Sequence, residues 1–405
     1  MKRAVVLLAA VAVVSLFHAR RVSACGGCFA PPNTFTAVDS HRMVIALGVD
    51  ETVLWDQFIY TGAPEEFAWV LPVPTSDVVV EVADQAFVQT IDESTSPIVT
   101  PASTSPCDAA AAGGGCGGSG FGGFGPGPVD GVEVYDRGVV GPYETVTLGS
   151  DDPNALFAWL AGNGFAYPAE AIPTLEHYTA LGSAFVVLRL RPGADVSAMQ
   201  PVRLRFRGFM GTFPLRMVVV GATGSVDLSL WVIAEQRYAA LNYPTVEVDD
   251  GELAWDWSTN RSNYDDVFEA AIARSGGRAW VTEYAAALGQ SELAAALADV
   301  AAEDFAVAGA RVHYPYLTRL RTRMLVEHIS EDLQLAPAED ASDVSREHVA
   351  ARDVNYECAT DAAASGAGPL HDGRLQSLLL VALALAAGAG RRSRRLEASA
   401  PSQPA

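Results

Sequence analysis

The stretch AFVVLRLRPGADVSAMQPVRLRFRGFMGTFPLRMVVVGATGSVDLSLWVIA, residues 184–234, decides the fold class. It divides into four apolar, β-branched runs: Ala184–Leu190, Val202–Arg207, Leu215–Val220 and Val226–Ala234. Gly, Pro and Ser bound them, as expected of strands. The connections are short and turn-like, which predicts an antiparallel sheet containing Ala184–Leu190 and Val226–Ala234. Upstream, His41–Val49 and Thr52–Tyr60 flank Asp50-Glu51 as a hairpin, and EFAWVLPV (Glu66–Val73) adds a strand stopped by Pro72 and Pro74. Ala83–Ile91 has Phe87, Val88 and Ile91 on one side and reads as a short helix. Val132–Leu148 reads as another hairpin. Asp152 and Pro153 then provide an N-cap and first helical residue, followed by Leu156, Trp159 and Leu160 on one face and a stop at Gly162–Gly164. Downstream the period becomes helical: Tyr264–Ser275 ends at Gly276-Gly277, and Ser291–Phe305 aligns Leu293, Leu297 and Val300. Strands followed by helices predict an α+β class, an antiparallel β-rich ectodomain with helices toward its C-terminal half.

The two ends carry export and membrane signals. Residues 1–24 read as a signal peptide: Lys2 and Arg3, an apolar run from Ala4 to Phe17, and small residues Val22-Ser23-Ala24 before the cut. His18–Arg21 is unusually charged for that position and leaves the cleavage point open, with an uncleaved anchor as the alternative. Residues 370–390 include LQSLLLVALALAAGAG (Leu375–Gly390), a short transmembrane or sorting span. Arg391, Arg392, Arg394 and Arg395 follow it in a basic tail, 391–405, whose charge favours the cytoplasm. Between the ends, 25–93 reads as an N-terminal β-rich part, 94–131 as a Gly/Pro/Ser-rich loop or linker, 132–335 as the main α+β part, and 336–369 as an acidic, Ala-rich flexible stalk. The membrane, through the C-terminal span, is the one partner this layout specifies.

Charge narrows the remaining classes. The chain has 27 basic and 48 acidic residues. Setting aside the signal peptide and the basic tail leaves 19 against 47, a net charge of about −28 on the ectodomain. Nucleic acid is not an expected partner, because phosphate binding needs a basic footprint. Lys2 is the only lysine, so the mature chain has none for a Schiff base or a phosphate loop. Of the five cysteines, Cys107 and Cys116 bracket a flexible DAAAAGGG loop and are paired here as a disulfide. Cys25 and Cys28 form CGGC, a second disulfide candidate or a redox pair, though without the preceding strand a thioredoxin-like motif requires. Val22-Ser23-Ala24-Cys25 also fits a lipobox. Cys358 is the odd residue, open to lipid or anchor attachment or to serving as a third partner for Cys25 or Cys28.

Catalytic motifs give little. HExxH, GxSxG, an EF-hand loop and a strand-linked GxGxxG are all missing from the sequence, so no catalytic, metal or cofactor residue is assigned. His313 and His348 read as surface residues, and the neighbours in Glu65-Glu66 and Asp249-Asp250 would point apart in a strand. Arg319, Arg321 and Arg323 in YLTRLRTR alternate onto one side if the segment is a strand; internal ion pairing is the expected role, with an anionic partner the alternative.

Several segments, in order, resemble the family catalogued as domain of unknown function 2330: CGGCF at Cys25, HRMVIAL at His41, EEFAWVLPVP at Glu65, YTALGSAFVVLRLRPG at Tyr178, QPVRLRF at Gln200, FPLRMVVVGA at Phe213, WVTEYA at Trp280 and YLTRLRTR at Tyr316. The resemblance covers Cys25–Arg323 and implies an exported envelope protein, with no activity and no functional residues to carry over. The C-terminal tail is similar to sorting signals of bacterial surface proteins. Two function classes follow: a non-enzymatic surface or binding protein, and, as the alternative, an envelope hydrolase or thiol-redox protein with a site assembled from distant residues.

Overall fold

The unbroken apolar runs MVIAL in HRMVIAL and VLW in TVLWDQ give each segment two apolar faces, so the hairpin they form must be covered on both sides. The computed structural model describes residues 28–29, 37–61, 68–102, 133–163, 171–191, 193–194, 198–220, 222 and 224–355, which lie in one unit. Its strands begin with β1 (Cys28–Phe29), β2 (Ala37–Leu47), β3 (Glu51–Thr61), β4 (Ala68–Val73), β5 (Val78–Val82), β6 (Ile98–Thr100), β7 (Glu133–Val140) and β8 (Tyr143–Gly149). Next come β9 (Ala184–Leu190), β10 (Val202–Arg207), β11 (Thr212–Phe213), β12 (Ser225–Ala234), β13 (Tyr238–Ala240), β14 (Thr245–Val246), β15 (Ala254–Asp256) and β16 (Arg261–Ser262). The last are β17 (Trp280–Ala287), β18 (Tyr316–Leu325), β19 (Leu333–Pro337), β20 (Glu347–Val349) and β21 (Arg352–Val354). The fold is mixed α+β and strand-rich, with helices in the C-terminal half and others between the earlier strands.

Two sheets stack at the centre. One runs β1-β4-β9-β8-β7 and the other β14-β17-β18-β12-β2-β3-β10-β5. Their inner faces share one core, with Met43, Ile45, Leu204 and Leu230 from the larger sheet meeting Trp69, Val186 and Leu188 from the smaller. Helices α1 (Gln85–Thr95), α2 (Pro153–Gly162), α3 (Ile172–Ala180), α4 (Leu215–Val218), α5 (Tyr264–Arg274), α6 (Glu292–Val300) and α7 (Ala302–Gly309) complete the fold. Leu156, Trp159, Leu160 and Leu175 of α2 and α3 pack on the outer face of the smaller sheet. On the outer face of the larger sheet, Phe87, Ile91, Leu293 and Leu297 of α1 and α6 pack beside Trp55 and Trp231. The order of layers is helix, sheet, sheet, helix.

Local chemistry sets the helix starts. Asp84 accepts from the Ala86 amide, Asp152 from Asn154 and Ser291 from Ala294, each satisfying a first-turn donor. At the end of α5, Gly276 and Gly277 both take positive φ, and the Gly277 amide bonds back to the Ile272 carbonyl, closing the helix.

Four expectations are corrected. The sheet is not wholly antiparallel, and Ala184–Leu190 and Val226–Ala234 lie in different sheets. β9 is apolar on both faces and therefore sits inside the smaller sheet, whereas β12 runs parallel to β2 in the larger one. Leu215–Val220 is not a strand: Pro214 starts a single helical turn that sends Leu215 and Val218 into the inter-sheet core and Met217 and Val220 to the α2/α3 side. A run with apolar contacts on both sides at that spacing is better served by a turn, and packing overrides β-propensity. Ser291–Phe305 forms two helices, because a non-helical backbone at Ala301 (φ −145°, ψ 48°) breaks it and redirects α7. Finally, the expected stalk at 336–369 is built into the fold as far as it is described: β20 pairs with β6, β21 with β15, and Ala350 is buried. The 25–93 and 132–335 parts share sheets, since β2 and β3 pair with β12 and β10.

Candidate functional site

Alternation along β18 places Arg319, Arg321 and Arg323 on the outer face of the larger sheet, opposite Trp231, Ser229 and Asp227 of β12. Carboxylates meet them from four elements. Glu283 comes from β17, where the register shifts between Thr282 and Tyr284 and so turns an extra side chain toward the row. Glu283 Oε2 accepts from Arg319 Nε at 2.7 Å, and its other oxygen accepts from Tyr264 Oη at 3.1 Å and lies 3.5 Å from Arg321. Asp227 takes two hydrogen bonds from Arg321 and two more, of 2.6 and 3.1 Å, from Arg323. Asp92 of α1 pairs with Arg319 at 2.7 Å and with Arg42 at 3.2 Å, while Glu269 of α5 pairs with Arg323.

Aromatic faces complete the row. Arg319 lies 4.9 Å over Trp231 and Arg321 4.5 Å over Phe268, within cation–π range. The Glu283 side chain is fully buried and that of Arg319 is 6% exposed, so the pair is desolvated. Burial alone would raise the Asp227 carboxyl, but the hydrogen bonds and charges of Arg321 and Arg323 outweigh it and hold Asp227 below the ordinary carboxylate value. The Tyr264 hydroxyl moves the other way, raised by burial first and then by the Glu283 charge beside it. The arginine row is thus neutralised internally and fastens α1 and α5 to the sheet, as its alternation predicts.

A second buried polar cluster sits on the inner face. His41 Nε2 and Asp56 Oδ1 form a short hydrogen bond, with His41 only 3% exposed and Asp56 fully buried. Tyr143 is near, its hydroxyl donating to the Gln200 carbonyl at 2.6 Å, and burial raises it above a normal phenol. No sequence motif marks the dyad, because nothing in its spacing is catalytic. Its signal was phase: His41 shares the strand face of Met43 and Ile45, and Asp56 that of Leu54, so two polar groups stand where only apolar ones were due. Asp304 was missed in the same way. It accepts from Trp55 Nε1 and Arg203 Nη1, both at 2.7 Å, and from the Asp84 amide at 2.8 Å, fixing α7 to β3, β10 and the start of α1.

Other expected residues do not converge. Asp249 caps the helical turn Asp250–Glu252, and Asp250 pairs with His348 at 2.7 Å; neither lies in a strand. Cys28 stands across from Trp69 in the β1/β4 ladder. Cys25, Cys107, Cys116 and Cys358, the signal peptide, Glu65-Glu66 and the Leu375–Gly390 span lie outside the described residues. Among the described residues no helix is long and apolar enough to cross a membrane, and no group of three or more His, Cys, Asp or Glu could hold a metal.

A family model described as an uncharacterized protein conserved in bacteria (DUF2330) matches residues 20–336. The chain belongs to that family. The match takes in both buried clusters, β2 and β3 with His41 and Asp56 as well as β17 and β18 with the arginine row. No curated protein and no solved structure matches the chain.

Proposed function

We propose that this member of the family is an exported envelope protein, tethered through its C-terminal span, whose folded body binds a partner without transforming it. The observation that carries the reading is the fate of the arginine row: Arg319, Arg321 and Arg323 are committed to Glu283, Asp227, Asp92 and Glu269. The side chains best suited to anion capture therefore serve to hold helices on the sheet. Lys2, Arg3 and the apolar run after them support export, and Leu375–Gly390 with the four arginines beyond it supports the tether. Cys358, between body and span, supplies the attachment point if the span is removed.

Protease treatment of bacterial spheroplasts producing the full chain with a C-terminal tag tests the reading. Digestion of the body from outside with the tag protected is expected, and truncation after Asp372 should release the protein to the soluble extracytoplasmic fraction. A body that resists protease in intact spheroplasts yet is cut after lysis would end the proposal.

A further inference from the structure

One end of the larger sheet, around the β2–β3 turn and the segment after α7, carries two adjoining cavities. An apolar cavity of about 410 Å³ opens there between α6, α7 and the sheet, lined by Ile233, Leu288, Ala298, Phe305, Ala306 and Pro315. Its size falls in the range of ligand pockets. At Gly309 it adjoins a depression of about 440 Å³ lined by Asp50, Glu51, Glu235, Arg311 and His313. Large apolar side chains stand exposed around the pair: Val49 is 85%, Tyr314 75% and Phe209 55% accessible. Phe209 belongs to this end because the Gly208 amide bonds to the Asp50 carbonyl. Exposed apolar groups gathered beside a cavity and rimmed by charge mark an interaction surface.

The charges select the partner. Glu51 is occupied by Arg311 and Arg205, so its charge is already compensated. Asp50 and Glu235 have no ion pair or side-chain hydrogen bond among the described residues, which leaves two uncompensated carboxylates facing the depression. A second copy of this acidic chain would bring its own carboxylates against them. We infer that this surface binds a polypeptide segment presenting an apolar side chain next to Arg or Lys, the apolar group entering the 410 Å³ cavity and the cation meeting Asp50 and Glu235. The inference rests on the reading of the chain as a binding protein and names its partner's chemistry.

The probe is a fluorescein-labelled, end-capped peptide, Gly-Leu-Phe-Arg-Lys-Gly, with Gly-Leu-Phe-Glu-Glu-Gly as counterpart, titrated against the purified full chain and read by anisotropy. Binding of the basic peptide alone is expected. Ala306→Trp fills the cavity from an exposed position on α7 and should weaken binding at least about tenfold, as should Asp50→Lys with Glu235→Lys. Glu339→Lys with Glu347→Lys makes the same change in net charge elsewhere and should leave affinity within about twofold. Equal binding of both peptides, no binding of either, unchanged affinity in Ala306→Trp, or equal losses from the two lysine pairs would each overturn the inference. Thermal melts of the variants separate lost binding from lost folding, with Ala302→Phe as the substitute if Ala306→Trp unfolds. The spheroplast test stands apart, so a failed peptide leaves localisation as measured.

Discussion

Replacing Glu283 by Gln keeps its volume and removes its charge at the centre of the arginine row. The magnitude follows from what is left behind. Arg319, with a side chain 6% exposed, retains Asp92 at 2.7 Å, while Arg321 retains the two hydrogen bonds it donates to Asp227. Removing one member of a fully buried pair costs about 3–5 kcal/mol when nothing else compensates the survivor. With Asp92 and Asp227 still in place, about 2–3 kcal/mol is the expected loss, in line with hydrogen bonds to charged groups. The assay is urea unfolding of the full chain at pH 7 followed by tryptophan emission, since Trp231 lies under Arg319 and reports on the row. Arg319→Met alone and together with Glu283→Gln completes a cycle. The double variant should be more stable than the sum of the single losses predicts by about 1.5 kcal/mol or more, because the second change removes a charge already stranded by the first. Additivity within about 0.5 kcal/mol would refute the reasoning, as would a Glu283→Gln loss below about 1 kcal/mol.

Two further outcomes are expected. Because Asp227 is held below its unfolded value, its contribution to stability is fully present above about pH 4 and is lost as pH falls through the lower folded value. Asp227→Asn should therefore be less stable than the parent at neutral pH and converge with it on acidification, and parallel pH–stability curves would contradict this. Non-reducing peptide mapping of exported protein should recover Cys107 linked to Cys116, a ring that stabilises by roughly 2.5–3 kcal/mol in the loop-closure account, with two free thiols as the contrary result.

Much of the local structure was legible because local rules decide it. The β2/β3 and β7/β8 hairpins, the helix starts at Asp152 and Ser291, and the alternation of Arg319, Arg321 and Arg323 each depend on residues within a few positions of one another. Long-range placement was not legible. The parallel pairing of β2 with β12 joins His41 to Leu228, and no local pattern encodes a partner so far along the chain. The same limit hid the site's carboxylates: Asp92, Asp227, Glu269 and Glu283 are scattered polar residues until the sheet and two helices gather them. At Glu283 a β-bulge was also needed, and the segment WVTEYAAA carries no Gly or Pro to announce it. The apolar cavity depends on the break at Ala301, which helical spacing alone would have carried straight through.

The segment after β19 also determines how the body responds to a pull. Its strand pairing is short: β20 and β21 each pair over three residues, and Val349 is 58% exposed. The neighbouring β18, by contrast, pairs with β12 along ten residues and is mostly buried. Tension arriving from the C-terminal side meets β21 first, then the His348–Asp250 contact and β20, and only afterwards the Ala285–Val344 bridge. Under the proposed C-terminal tether these contacts would act as a mechanical fuse, yielding before the two stacked sheets and lengthening the connection by roughly 3 Å for each residue released.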